Sequence, residues 1–368
     1  MKSQQPGFIL LSIFLLLTMA TVFVTQLYYR GSLYNTFIPV AVERENAKQL
    51  AQMGIVLAIN QLALYDQKLT PEESTKSLDS TAHKGSPLND GRKQTKTGSD
   101  EKDARNLLKV LLTVQNRWQT FEFDQEKDGL EGILKICITC DDGKIPLGGL
   151  IDYQKTTFKN NEEKKFKGEK FFENLFDRIK SFVKNYDLLD TLQSYIKQQK
   201  FELFEVTDLL NYKEFKLFRD TVFYKPMEQN GQKKPTIYLA DLFSDHTIMT
   251  LHPAVLSPSV RVAYGLNPEG ITTPVDEELV EKLVTQMTVK EADWKKEWDT
   301  FLQPIYKKEY KSLPGELTAL FGSKFEPTHF SVVCYGKVGT IGQTLLATVE
   351  RVFTQQGEKF EVRKIYWL

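Results

Sequence analysis

Cys137 and Cys140 are separated by Ile138 and Thr139, which is the spacing of a dithiol redox motif. Redox dithiols work at the start of a helix, where a thiolate is stabilised, whereas this pair sits in a strand-like run. Along an extended strand the two Cα atoms stand about 10 Å apart, beyond the roughly 7 Å limit for a disulfide. A mutual bridge therefore needs a turn. A cross-strand bond from one of them to Cys334 is the alternative in an oxidising compartment, and unpaired buried thiols are the expected state. Asp124-Gln-Glu-Lys-Asp-Gly129 matches the first half of a calcium loop, with alternating oxygen donors and Gly sixth, yet the twelfth position is Lys135 where a bidentate Glu is needed. A solvated acidic turn is expected there and at Asp141-Asp142, so calcium stays open and no metal ligand is assigned. His83, His246, His252 and His329 have no metal-ligand spacing. The chain contains no G-x-S-x-G, phosphate-binding loop, H-E-x-x-H or dinucleotide fingerprint, and Gly336-Lys-Val-Gly-Thr-Ile-Gly342 reads as a turn. No catalytic or cofactor-binding residue is assigned, and a non-enzymatic protein is expected.

The elements around these residues belong to a folded chain of 368 residues, 41% hydrophobic and 26% charged, long enough for about two domains or one domain with a large insertion. Lys plus Arg and Asp plus Glu are both 48, so the basic excess of a phosphate-neutralising protein is missing and no nucleic-acid partner is expected. Phe8 to Tyr29 runs without a charge. At 1.5 Å per residue it makes about 33 Å of helix, enough to cross a bilayer core of about 30 Å. Lys2 before it and Arg30 after it favour an N-terminus inside and export of everything beyond Tyr29. A cleaved secretory signal has a shorter apolar region and a small-residue cleavage site, whereas this run ends in Gln26-Leu27-Tyr28-Tyr29.

After Pro39, a residue able to kink or interrupt a helix, Ala47, Leu50, Ala51, Gly54, Ile55, Ala58, Leu62 and Ala63 recur at steps of three and four. They mark one apolar helical stripe. Its small residues permit close packing, either on the protein's own sheet or on another subunit's helix. Gln67 to Asp103 is polar and without aromatic residues, and reads as a disordered loop. Ala104 to Trp118 predicts a short helix, Trp118–Phe123 and Gly132–Ile138 predict strands, and Asp141-Asp142-Gly143 a turn. Glu162 to Lys225 predicts a helical subdomain, with Phe171, Leu175, Ile179, Phe182 and Val183 on one stripe and Leu188, Leu192, Tyr195 and Ile196 on another. Helical periodicity returns in Pro274–Met287 and Glu291–Tyr310, where Trp294, Trp298 and Phe301 share a face. The last fifty residues switch to period two, with runs at His329–Tyr335, Thr344–Phe353 and Phe360–Trp367 that predict an antiparallel meander.

Several of these segments together resemble one family. The short basic leader ending at Gly7-Phe8 is similar to a type IV prepilin leader, cut on the cytoplasmic side so that Phe8 becomes the new N-terminus. Pilins usually carry Glu at the fifth mature position, where its carboxylate can offset a neighbouring subunit's N-terminal charge; here that position is Ser12. The general secretion pathway protein K family, the large minor pseudopilins of bacterial type II secretion, commonly lacks this Glu. The helix from Arg44 to Ala58 resembles the family's "A…A…G…A" helix, and Cys140-Asp-Asp-Gly-Lys-Ile-Pro-Leu-Gly-Gly-Leu150 resembles its acidic-Gly-Lys-Ile-Asn-Leu-Asn segment, with Pro146 and Gly148 in place of the two Asn residues. Phe204–Leu210 with Phe215 and Phe218 is similar to its next helix pair, with Asp208 where Glu is usual, and Met249–Leu256 and the tail from Phe330 through Arg351 resemble two further segments.

This resemblance implies an α+β, pilin-like fold, a long N-terminal transmembrane helix packed on a small antiparallel sheet, with a large all-α insertion. The expected division is a prepilin-type leader over 1–7, a transmembrane helix over 8–29, its periplasmic continuation over 30–66, and the loop over 67–103. The first part of the pilin-like domain follows over 104–152, the helical insertion over 153–316 and the closing strands over 317–368. The resemblance also implies cleavage and N-methylation at Gly7 and Phe8 by prepilin peptidase, and subunit packing through Ser12, Ala47, Ala51, Gly54 and Ala58. The expected setting is the bacterial inner membrane, single-pass, with the C-terminal domain in the periplasm and other minor pseudopilins as partners at the tip of a pseudopilus. A minor pilin of a type IV pilus and a signal-anchored periplasmic binding protein are the alternative readings.

Overall fold

The computed structural model describes residues 6–67, 111–112, 114–163, 165–182, 187–198, 205–224, 236–267, 282–285, 292–323, 327–354 and 357–368. The chain has mixed helix and sheet, α+β, with a long apolar N-terminal helix and an antiparallel sheet. Helix α1, Pro6–Gln67, is 62 residues long and continues through Pro39 without interruption. From Ile13 to Val42 its described side chains are exposed, and only from Ala47 onward do residues on one stripe become buried.

That stripe lies on a five-stranded sheet of β1 (Trp118–Phe123), β2 (Gly132–Cys140), β3 (His329–Val338), β4 (Ile341–Thr354) and β5 (Gly357–Trp367), neighbours in that order and all antiparallel. Period-two alternation puts Leu134, Ile136, Ile138 and Cys334 toward α1 and Cys137, Thr139, Ser331 and Val333 on the other face. Both sets are buried, apart from partly buried Ser331, because α1 covers one face and the long excursion between β2 and β3 covers the other. A strand buried on both faces reads as the near-continuous apolar run seen at 133–140.

The helix approaches β3 at backbone distance. A Cβ added at Gly336 would lie 2.3 Å from the Ala47 carbonyl oxygen, and one at Gly54 would lie 2.8 Å from Cys334 Sγ. Ala47, Ala51 and Ala58 are fully buried in the same contact. The expectation that Ala47, Ala51, Gly54 and Ala58 pack against another subunit is therefore corrected: small residues are needed there because the chain's own sheet occupies that side.

The excursion between β2 and β3 carries helices α2 (Gly168–Ile179), α3 (Leu188–Gln198), α4 (Pro258–Ala263) and α5 (Trp294–Phe301), with 3-10 helices at Val206–Asn211 and Glu214–Thr221. Phe171, Phe172, Leu175, Phe176 and Ile179 bury one side of α2, and a file of rings from Phe158 through Phe172, Phe176 and Phe215 to Phe218 continues the core, with centroids 4.8 to 6.3 Å apart. Phe182, expected on that stripe, is exposed beyond the end of α2. The excursion is not all-α: Ile151–Asp152 pairs with Thr157–Phe158, and Asn160–Asn161 with Phe166–Lys167. These short ladders arise where turns, including the left-handed Thr156 (φ 53°) and Lys165 (φ 52°), fold the chain back before α2. Buried apolar residues form one continuous cluster from Ala47 to Trp298. The loop over 67–103 lies, apart from Gln67, outside the described residues, as do Val183, all of Ala104–Val110 and most of Pro274–Met287.

Candidate assembly surface

The first part of α1 is large and apolar on every side. Phe14, Leu16, Met19, Val22, Phe23 and Val24 are all exposed, and the pattern continues past Arg30 through Leu33, Tyr34, Phe37, Ile38, Val40 and Val42. From Ile13 to Val42 this surface runs about 45 Å along the axis, and the helix is long and apolar enough to cross a membrane. Three of its threonine hydroxyls are satisfied internally: Thr18, Thr21 and Thr25 donate to the carbonyls of Leu15, Leu17 and Thr21 at 2.9, 2.7 and 2.7 Å. No side-chain donor among them requires water. Gly7, Phe8 and Ser12 lie within α1, with side chains outside the described part, about 50 to 60 Å along the helix from Ala47. These three positions are thus well separated along the helix from the small-residue stripe.

The far face of the sheet is polar at its centre. Lys144 Nζ lies 2.7 Å from Asp141 Oδ1 and donates to Ser331 Oγ at 2.8 Å, while Ser331 donates to Asp141 at 2.8 Å. Both charged side chains are almost fully buried. Burial pushes the Asp141 pKa up, but the Lys144 charge and the hydrogen bonds from Lys144 and Ser331 outweigh it, so the net direction is down. Asp142 goes the other way, to about 6, chiefly through burial. The solvated turn expected at Asp141-Asp142 is therefore corrected. The backbone at Gly143 lies too close to Val255 for any side chain, a Cβ there falling 1.8 Å from its carbonyl oxygen, and this contact presses the turn into the core. The signal missed in the sequence is Lys144, a charge three residues after Asp141 in an otherwise apolar stretch.

Asp124 has a simpler place. Its carboxylate caps the short helix Gln125–Asp128 by accepting from the N–H groups of Glu126 and Lys127, and Lys135 is carried off on β2. Among the described residues no group of three or more His, Cys, Asp or Glu is arranged to hold a metal.

The three cysteines are free and buried. Cys334 pairs across the ladder with Ile136, so it faces α1 while Cys137 faces the excursion, and a bridge between those two is excluded by the pleat. Burial raises the Cys334 pKa to about 12 and also raises Cys137 and Cys140, which keeps all three as unreactive thiols. His252 is buried, and its pKa is pushed down to about 3 by desolvation. The last strand ties sheet to excursion through Tyr366, which donates to Glu205 at 2.6 Å, and through Lys364, near Glu205 and Asp245 at 3.7 and 3.9 Å. The sequence reading singled out none of these.

No family model matches the chain, and no curated protein matches it in sequence. A solved structure is similar to part of it: a chain from the crystal structure of the GspK-GspI-GspJ complex of the enterotoxigenic Escherichia coli type 2 secretion system, with 12% identity and a TM-score of 0.35, covering 72% of this chain and 93% of that one.

Proposed function

We propose that this chain is a membrane-anchored, non-enzymatic subunit of a pilin-like filament, a minor pseudopilin of a type II secretion system that assembles with other minor pseudopilins at the tip of a pseudopilus. The supporting observation is the length of the uncovered apolar surface on α1. About 45 Å of such surface exceeds a hydrocarbon core of about 30 Å. Lipid covers the part near Phe8 to Tyr29; the remainder, from Leu33 to Val42, is exposed on the described chain. Apolar surface of that extent calls for a partner, and helices of neighbouring subunits supply one along the same axis.

On this reading prepilin peptidase cuts after Gly7 and Phe8 becomes the methylated N-terminus, with the C-terminal domain in the periplasm and the helix held in the bacterial inner membrane before assembly. Ser12 offers no carboxylate to a neighbour's N-terminal amine, which suits a subunit at an end of the filament better than one repeated along it. The test is photo-crosslinking in cells from a residue analogue at Phe37 and, as a control, at Leu50, which is buried under the sheet. Crosslinks to small pilin-like proteins from position 37 and none from position 50 are expected. An absence of protein crosslinks from both positions in cells with an assembled machine contradicts the proposal.

A further inference from the structure

A second feature lies where the chain enters β1. Leu112, Gln115, Asn116 and Arg117 face Ala254, Leu256, Arg261 and Tyr306 across a narrow cleft with about 20 Å³ of room for the centre of a water-sized sphere. Arg261, on α4, is 4% exposed, and its Nε has no hydrogen-bond partner; the same holds for Arg117 Nη2. Neither guanidinium forms an ion pair within the described chain. The carboxylate that acts on Arg261, Asp241, is already engaged with the Ser259 N–H at 2.7 Å. Each arginine's pKa is lowered, by burial first, and Arg117's also by the Arg261 charge. Two cations facing one cleft, with the one nearby carboxylate hydrogen-bonded elsewhere, leave positive charge there undercompensated.

The wall also carries acceptors. Gln115 and Asn116 donate their amide N–H groups to the carbonyls of Ala254 and Leu256 at 3.5 and 3.3 Å, which orients Gln115 Oε1 and Asn116 Oδ1 the other way, and both oxygens are buried without a partner. Asn116 is held in the left-handed region, φ 58°, by its N–H bond to the Ile138 carbonyl at 2.7 Å, and this turn sets Gln115 and Arg117 at the same opening. A water molecule would satisfy the amide oxygens but add no charge opposite Arg117, and opposite Arg261 none beyond Asp241. A fully ionised oxyanion would satisfy the guanidinium groups but meet the amide oxygens with like polarity.

We propose that the cleft between Arg117 and Arg261 binds a small protonated oxyanion, inorganic phosphate being the fitting case, with its ionised oxygens on the two guanidinium groups and its P–OH donating to an amide oxygen of Gln115 or Asn116. Arginine forks match such oxygens pairwise. The ligand bridges the strand entry at Arg117 and the excursion at Arg261, and so pins the two together. This inference is independent of the filament reading.

The experiment is thermal unfolding of the full chain in non-ionic detergent at pH 7, with phosphate, sulfate or chloride at constant ionic strength. Phosphate at ten times its dissociation constant is expected to raise Tm by about 2 °C, sulfate by less than half as much, and chloride not at all. Arg117→Gln, a change at a half-buried position, abolishes the phosphate effect while leaving the Tm in chloride close to wild type. Arg261→Gln gives the same loss wherever it folds. Equal Tm values in all three salts, equal shifts from phosphate and sulfate, or an undiminished phosphate shift in Arg117→Gln overturn the assignment.

Discussion

The two halves of α1 are built from the same apolar alphabet and meet opposite fates. From Ile13 to Val42 large apolar side chains are placed all round the helix and exposed; from Ala47 to Leu62 one stripe, many of its residues small, is buried on the sheet, while Met53 and Val56 off that stripe stay exposed. A helix apolar all round has no preferred inner face and suits a surrounding of lipid or other helices. A stripe of Ala and Gly does the reverse: it lets a helix backbone come close enough to a strand that Gly336 has no room for a side chain. Residue size along one helix thus separates the part packed on the chain's own sheet from the part left uncovered by it.

Truncating a residue on each half should break this symmetry most visibly. Leu50→Ala removes a fully buried side chain from the helix–sheet contact and is expected to cost about 3 kcal/mol in denaturant unfolding. The contact it weakens has no titratable group in the stripe, in contrast to the sheet's other face, where Asp142 has its pKa raised to about 6. A carboxylate whose folded pKa lies above its unfolded value is neutral by preference in the fold. Its penalty is absent below about pH 4, grows as pH rises through about 6, and reaches at most about 3 kcal/mol. Asp142→Asn should therefore gain up to that much on wild type between pH 4 and pH 7, whereas the cost of Leu50→Ala stays flat over the same range; paired unfolding curves at the two pH values check both. Gly336→Ala drives a methyl into the Ala47 carbonyl and is expected to cost about 2 kcal/mol. Leu16→Ala, on the uncovered half, should change the unfolding free energy in detergent by less than about 0.5 kcal/mol, and an effect as large as that of Leu50→Ala would erase the distinction.

The elements of the fold were largely legible, because each had a clean period. Trp118–Phe123 and the three tail strands were visible as alternation, and the stripe from Ala47 to Leu62 as steps of three and four. The extended geometry that argues against a Cys137–Cys140 bridge also held. What local pattern does not carry is which partner covers an apolar face. Small residues at Ala47 and Ala51 are equally suited to a sheet or a second helix, and only the fold decides. The same limit hid the buried pair of Asp141 and Lys144, since a D-D-G turn has one sequence whether it meets water or Val255. Arg117 and Arg261 were invisible as a pair because their meeting depends on the whole excursion returning to the strand entry.

The central claim, that the uncovered half of α1 is an assembly element of a pilin-like subunit, is tested most directly by the intact mass and N-terminal sequence of the mature protein from cells containing a prepilin peptidase. The account predicts a chain that begins at Phe8, carries one methyl group on its amine and retains the whole of the apolar helix. A mature chain that still begins at Met1, in cells where other prepilins are cleaved, would contradict it.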